Sequence, residues 1–361
     1  MFYFIIRGLK LVLINKLTQK TNGLVREVQT MTSAFKAILI SENEGKISSQ
    51  HADIALSDLP DLPVLVEVEY STLNYKDALA VSGKGKIARS TPMVAGIDLA
   101  GRVIESTDKN WQPGQRILVN GFGLSERHWG GYAQKARLKS EWLTIIPDQL
   151  TTKQAMAIGT AGYTAMLCIM AIQDHGIKPD DGPILVTGAS GGVGTIAITL
   201  LSKLGYTVVC SSGRSTKNSG FLKNLGASDL ITREELAKKA KPLESEKWAG
   251  VIDSVGGDTL NTAISQTKYE GIVTACGLAG GIKLETTVMP FILRGVTLRG
   301  IDSVMASSSR RNKAWSKLAE LMDHEKLNAL SAVQPMSNIH KLSKELLAGD
   351  IRGRIIIDVN E

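Results

Sequence analysis

The segment ILVTGASGGVGTIAITLLSKLG, residues 184–205, has the residue types and spacing to hold a phosphate. Gly188, Gly191 and Gly194 let a chain leave an apolar strand sharply, bring its backbone against a pyrophosphate and pack the next helix on the strand. Ser190, Gly191, Gly192 and Val193 then stand at a helix N-terminus, where unpaired N–H groups and a partial positive charge favour an anion. Ala189 occupies the place of the first glycine in a strict G-x-G-x-x-G, and a glycine triplet alone is weak evidence. Its position between an apolar strand and an apolar helix is what points to a dinucleotide. The following strand ends in CSSGRS. An NAD site usually carries Asp or Glu there to accept from the ribose 2′-hydroxyl. Here Ser212, Gly213 and Arg214 offer hydroxyls and a guanidinium, which suit a 2′-phosphate, so NADPH is the expected cofactor. The alternative for Arg214 is a cap on a solvated helix start.

The surrounding pattern supplies the elements that position these residues. Residues 34–150 read as short strands separated by Gly and Pro punctuation, and 151–175 as a capped apolar helix. Beyond Asp181, apolar strands alternate with helices, the pattern of a parallel sheet covered on both faces, a doubly wound α/β unit. In such a sheet ligands bind at the carboxyl ends of the strands, which adds Ser254, Leu278 and Ser303 as candidates lining the cleft. A helix from about Ser307 leads to a last strand, RIIIDV, expected to return to the β unit.

Composition restricts the function classes. With 361 residues, 43% hydrophobic and 5% aromatic, the chain is long enough for two domains. The net charge of +7 is concentrated at the start, where Arg7, Lys10, Lys16, Lys20 and Arg26 face Glu27 alone. No long basic run follows, so no nucleic-acid partner is expected. The leader, residues 1–31, lacks an uncharged apolar run long enough to cross a membrane and is expected to be a non-structural extension, the alternative being a helix lying on a membrane surface. Cys168, Cys210 and Cys276 show no CxxC spacing, which suits a reduced, cytoplasmic setting.

Several stretches carry a more specific resemblance: LNYKDALAVSGKGKIARSTPMVAGIDLAGRV, WGGYAQKARL, IGTAGYTAMLCIMAI, VTGASGGVGTIAI, ACGLAGG, TTVMPFILRGVTLRGIDSVM and the terminal GRIII. Over residues 32–361 the chain resembles the medium-chain dehydrogenase/reductase superfamily, in the zinc-free, YhdH-type quinone oxidoreductase branch that includes NADPH-dependent acrylyl-CoA reductases. The resemblance implies a GroES-like, mostly β catalytic domain of residues 32–157 and 304–361. It also implies a Rossmann NADPH-binding domain of residues 158–303.

Zinc-dependent members of that superfamily carry a ligand cysteine where this chain has Asn74, and a His-Glu pair where it has Ile97 and Asp98. No metal is therefore expected. What remains is reduction of an activated double bond or a quinone. Asn74 and Tyr75 would bind a substrate carbonyl or the nicotinamide, with Tyr75 the first choice for donating to an enolate oxygen; the alternative for Tyr75 is packing against the cofactor ring. The resemblance also brings Ile292 and Arg354 to the cofactor. It suggests a homodimer, with the edge strand TLRGI pairing across a twofold axis. For CoA phosphates the sequence offers Lys84, Lys86 and Arg89 in GKGKIAR, and Arg310, Arg311 and Lys313 in SSRRNK. Three classes stay open: enoyl-thioester reductase, NADPH:quinone reductase and non-catalytic NADPH-binding protein.

Overall fold

The computed structural model describes residues 34–213 and 215–361; the leader and Arg214 lie outside the described residues. β1 (Ala34–Asn43) and β2 (Lys46–Ala55) form a hairpin closed by Glu44 and Gly45 at φ 52° and 77°. Two left-handed residues in a two-residue turn match the twist of the strands they join. After β3 (Val64–Thr72) comes a short helix, α1 (Tyr75–Val81). Then follow β4 (Met93–Val94), β5 (Asp98–Ser106), β6 (Arg116–Asn120), β7 (Lys135–Leu138) and β8 (Thr144–Ile145). β3, β5, β6 and β8 pair in that order as an antiparallel sheet, β7 joins β3, and β4 joins β1.

α2 (Thr152–Asp174) starts where the sequence places it, at Thr151. Thr151 Oγ1 accepts from Gln154 N at 3.1 Å and Gln154 Oε1 accepts from Thr151 N at 3.0 Å, a reciprocal cap. By length and apolarity this helix could cross a membrane, yet nearly all of it is buried inside the protein. It shares one core with Ala100 and Leu118 of the antiparallel sheet and with Ile184, Val186 and Ile196 beyond it. Burying each such Leu or Ile contributes about 1.5–3 kcal/mol, so α2 is the common support of both sheets.

The second sheet contains β9 (Ile184–Thr187), β10 (Val208–Ser212), β11 (Asp229–Thr232), β12 (Trp248–Asp253), β13 (Thr267–Ala275) and β14 (Thr297–Gly300). Their connections hold α3 (Gly192–Lys203), α4 (Ser215–Leu225), α5 (Arg233–Leu236), α6 (Gly257–Ser265) and α7 (Met289–Arg294). All pairs are parallel, in the order β11-β10-β9-β12-β13-β14. The order reverses between β9 and β12, which opens a crevice at their carboxyl ends.

The chain then runs through α8 (Ser308–Leu321), α9 (His324–Ala329), β15 (Ser331–Pro335), α10 (Ile339–Leu347) and β16 (Arg354–Asp358). β16 lies antiparallel to β3, with Ile356 opposite Thr72, and β15 lies outside it. The last strand therefore carries Arg354 into the first sheet.

Candidate active site

The glycine turn sits at the switch point and is built by close approach. A side chain at Gly188, which has φ 61°, would collide with Ser254 Oγ. One at Gly194 would meet the Ala189 and Gly188 backbone at 2.6–2.7 Å. Gly191 faces nearly open space, its nearest neighbour for such an atom being Gly188 O at 3.2 Å. The turn is thus packed behind and open in front, above the first N–H groups of α3, which have no partner inside the helix. Ser254 braces this arrangement. Its N–H donates to Thr187 Oγ1 at 3.1 Å and its hydroxyl to Thr187 O at 3.0 Å. Gly277 in turn lies against the Ser254 backbone, which brings the loop carrying Leu278 to the same crevice.

Asn74 is the N-cap of α1 and lies in a fully buried polar cluster. Its Nδ2 donates to Asp77 Oδ2 at 3.0 Å and to both Asp98 carboxylate oxygens at 3.3 Å. Its Oδ1 accepts from Arg354 Nη2 at 3.3 Å. Arg354 also donates to Thr72 Oγ1 at 2.7 Å and, through Nε, to Ala157 O at 3.0 Å. Both amide hydrogens of Asn74 are therefore engaged, so the amide positions its neighbours and does not face a substrate. Arg354 is buried at 3% exposure, and a side chain on Gly192 would meet its Nη1 at 2.5 Å. One guanidinium thus touches Asn74 on one side and the glycine turn on the other. Gly159, at φ 53°, kinks α2 where a side chain would strike Arg354, Thr72 and Asp98.

Burial raises the pKa of Asp98, against the Thr160 N–H at 2.7 Å and the Arg354 charge, which lower it. Asp77 is pushed up from 3.8 to about 7, by burial first and the Asp98 charge second. Between those two values the folded chain keeps a proton that the unfolded chain has released. The stability contributed by Asp77 therefore falls as pH rises through that window. Asp77→Asn is expected to flatten the corresponding part of the unfolding free energy against pH, measured by urea denaturation. An unchanged slope would contradict the assignment.

At the far end of the turn, the Ser190 and Ser212 hydroxyls lie 3.2 Å apart. Gly213 follows, exposed, and a side chain there would collide with the Arg233 guanidinium. Arg233 is a cation that the sequence reading missed. Tyr75, the first residue of α1, is 43% exposed. Leu278 and Ile292 are exposed and Ser303 half-buried. The expectation for Arg311 is corrected. It is 1% exposed and donates to Asn120 O at 2.8 Å, with its guanidinium 4.3 Å from the Phe122 ring centroid. It locks the segment after β14 onto β6 and does not reach solvent for a CoA phosphate. An open cleft of about 630 Å³ beside His175, Lys268 and Glu270 lies at the opposite, amino-terminal ends of the parallel strands.

Residues 60–148 match the alcohol dehydrogenase GroES-like domain, and residues 192–323 the zinc-binding dehydrogenase family. The chain is 48% identical to the Escherichia coli K12 protein named "Probable acrylyl-CoA reductase AcuI", over 90% of this chain and 100% of that one. It is 45% identical to the acrylyl-CoA reductase AcuI of Ruegeria pomeroyi, over 90% and 99%. The chain belongs to the AcuI/YhdH branch of the medium-chain dehydrogenase/reductase superfamily. Among solved structures of this branch, Escherichia coli K-12 YhdH with bound NADPH is 47% identical, with a TM-score of 0.88, covering 90% of this chain and 100% of that one. The α/β fold, a GroES-like unit joined to a Rossmann sheet, is that of the superfamily. One family model takes its name from zinc, and the residues of this branch member do not fit that ion. Asn74 donates to both Asp77 and Asp98 and accepts from a permanent cation, Arg354. Among the described residues no three His, Cys, Asp or Glu side chains come together to hold a metal.

Proposed function

We propose that the protein is an NADPH-dependent reductase of short enoyl-CoA thioesters that converts acrylyl-CoA to propionyl-CoA. The observation that carries this reading is the 45–48% identity to the two AcuI proteins over essentially their whole length. NADPH bound in the crevice supplies a hydride. The Ser190–Val193 backbone and Arg354 hold its pyrophosphate. Ser212, Gly213 and Arg214 take the 2′-phosphate together with Arg233, which lies against Gly213, and Leu278, Ile292 and Ser303 line the nicotinamide half. As a C–H bond forms at the substrate β-carbon, negative charge moves to the thioester oxygen. The exposed Tyr75 hydroxyl donates to that oxygen, and a proton then completes the α-carbon. Steady-state assays of NADPH oxidation test the reading. Turnover with acrylyl-CoA supports it, whereas turnover with a benzoquinone alone, or NADPH binding without turnover of either, rejects it.

Arg233→Ala is expected to weaken NADPH by roughly 1–2 kcal/mol, a charge-assisted hydrogen bond discounted for exposure, and to leave NADH unchanged. Equal loss for both in fluorescence titrations would remove Arg233 from the 2′-phosphate site.

A second copy of the chain is the proposed partner. β14 is an edge strand, and Ile282, Val288 and Leu293 near it are 83%, 65% and 55% exposed. An open edge beside an apolar patch suits twofold pairing. Light scattering at micromolar concentration is expected to give the mass of a dimer, and a monomer would contradict this. Cys168, Cys210 and Cys276 are free thiols, which suits the proposed cytoplasmic setting. The proposed domain boundary between residues 157 and 158 falls beside the kink at Gly159.

A further inference from the structure

The region around Tyr75 contains charged side chains that the reaction does not use. α1 carries Lys76 directly after Tyr75, and the loop leaving α1 contains Lys84, Lys86 and Arg89. That loop folds back until the Arg89 N–H donates to Glu126 O at 2.8 Å. The Glu126 carboxylate then gathers three cations. Lys76 Nζ lies 2.6 Å from one oxygen, and Arg89 Nε and Arg127 Nε lie 3.6 Å and 3.8 Å from the other. Lys76 holds the Glu126 carboxyl below its ordinary range, so the carboxylate stays charged.

The segment bearing Glu126 and Arg127 is rigidly shaped. Phe122 and Ser125 are left-handed at φ 49° and 64° although neither is glycine. They are held by Phe122 N to Val304 O at 3.1 Å and Ser125 N to His128 O at 2.7 Å. Backbone held in this region without glycine costs conformational energy and persists only where the surrounding contacts over-determine it. The Arg89 and Arg127 side chains are 63% and 71% exposed, against 18% for Glu126. Among the described residues their terminal Nη groups have no hydrogen-bond partner. Three cations around one anion leave an excess of positive charge, with free forked donors pointing outward. Planar guanidinium forks suit phosphate oxygens.

We propose that Lys76, Arg89 and Arg127, gathered on Glu126 beside Tyr75, form the subsite for the phosphates of the substrate's CoA handle. The proposal rests on the enoyl-CoA reading. The subsite belongs to the substrate side of the crevice, because its residues come from the GroES-like unit, while the cofactor's proposed phosphate contacts lie at the glycine turn and Arg233. A quinone carries no such handle and gains nothing from this charge.

The test compares acrylyl-CoA with acrylyl-pantetheine, which keeps the thioester and lacks the phosphates. Both arginines are exposed, so Arg89→Gln combined with Arg127→Gln leaves the core packing untouched. The ratio of kcat/KM for acrylyl-CoA to that for acrylyl-pantetheine is expected to fall roughly tenfold in the double variant, with the loss shrinking at high salt. An unchanged ratio, with wild type active on acrylyl-CoA, overturns the subsite alone. A rise in the KM for NADPH in place of that for acrylyl-CoA overturns it too, since the anion would be the cofactor's. Wild type inactive on both thioesters overturns the enoyl-CoA reading and the subsite with it.

Discussion

Tyr75→Phe is expected to lower kcat for acrylyl-CoA by roughly 10²–10³-fold, the range for removing one donor aimed at a developing oxyanion. The KM for NADPH should stay within about twofold, because a hydrogen bond made in the transition state acts on the chemical step and not on ground-state binding. Tyr75 can be tested cleanly. It is 43% exposed at the start of α1, so losing its hydroxyl disturbs no packing. Asn74 cannot replace it, since its amide hydrogens are bonded to Asp77 and Asp98. Full turnover by Tyr75→Phe would therefore assign the donor to water.

Arg354→Met should cost stability as well as cofactor affinity. Arg354 is buried against Asn74, and Asp98 and Asp77 each lie one hydrogen bond further, on the Asn74 amide. Burial pulls the guanidinium pKa down, and the Asp98 and Asp77 charges push it up. Removing one partner of a buried ionic cluster leaves charge uncompensated, at a cost of about 3–5 kcal/mol. Urea denaturation at neutral pH measures that cost. Adding Asp98→Asn should restore part of it by removing the stranded carboxylate. A single variant as stable as wild type would show that Arg354 is not the counter-ion of the cluster.

What the sequence disclosed and what it hid follow from how local each signal is. The glycine turn was legible because its three glycines, its strand and its helix are contiguous in the chain. The cap of α2 at Thr151 and Gln154 was legible for the same reason. α1 escaped notice because seven residues are too few to display a helical period.

Arg233 was hidden by register. It lies well beyond Gly213 in sequence, and only the pairing of Ser212 with Thr232 in parallel strands sets the two side by side. In sequence Arg310 and Arg311 stand together as one candidate site for CoA phosphates. A helix turns about 100° between neighbours, however, and that rotation sends Arg311 into the protein. The Glu126 cluster joins residues from three segments, and no spacing in the chain announces it.

The most direct measurement of the central claim follows the hydride itself. The purified protein is given acrylyl-CoA and NADPH deuterated at the transferable position, and the propionyl-CoA formed is analysed by NMR. The account predicts one deuterium on the β-carbon and a solvent-derived proton on the α-carbon. Product labelled at the α-carbon, or no propionyl-CoA at all while NADPH is oxidised by a quinone, would contradict it.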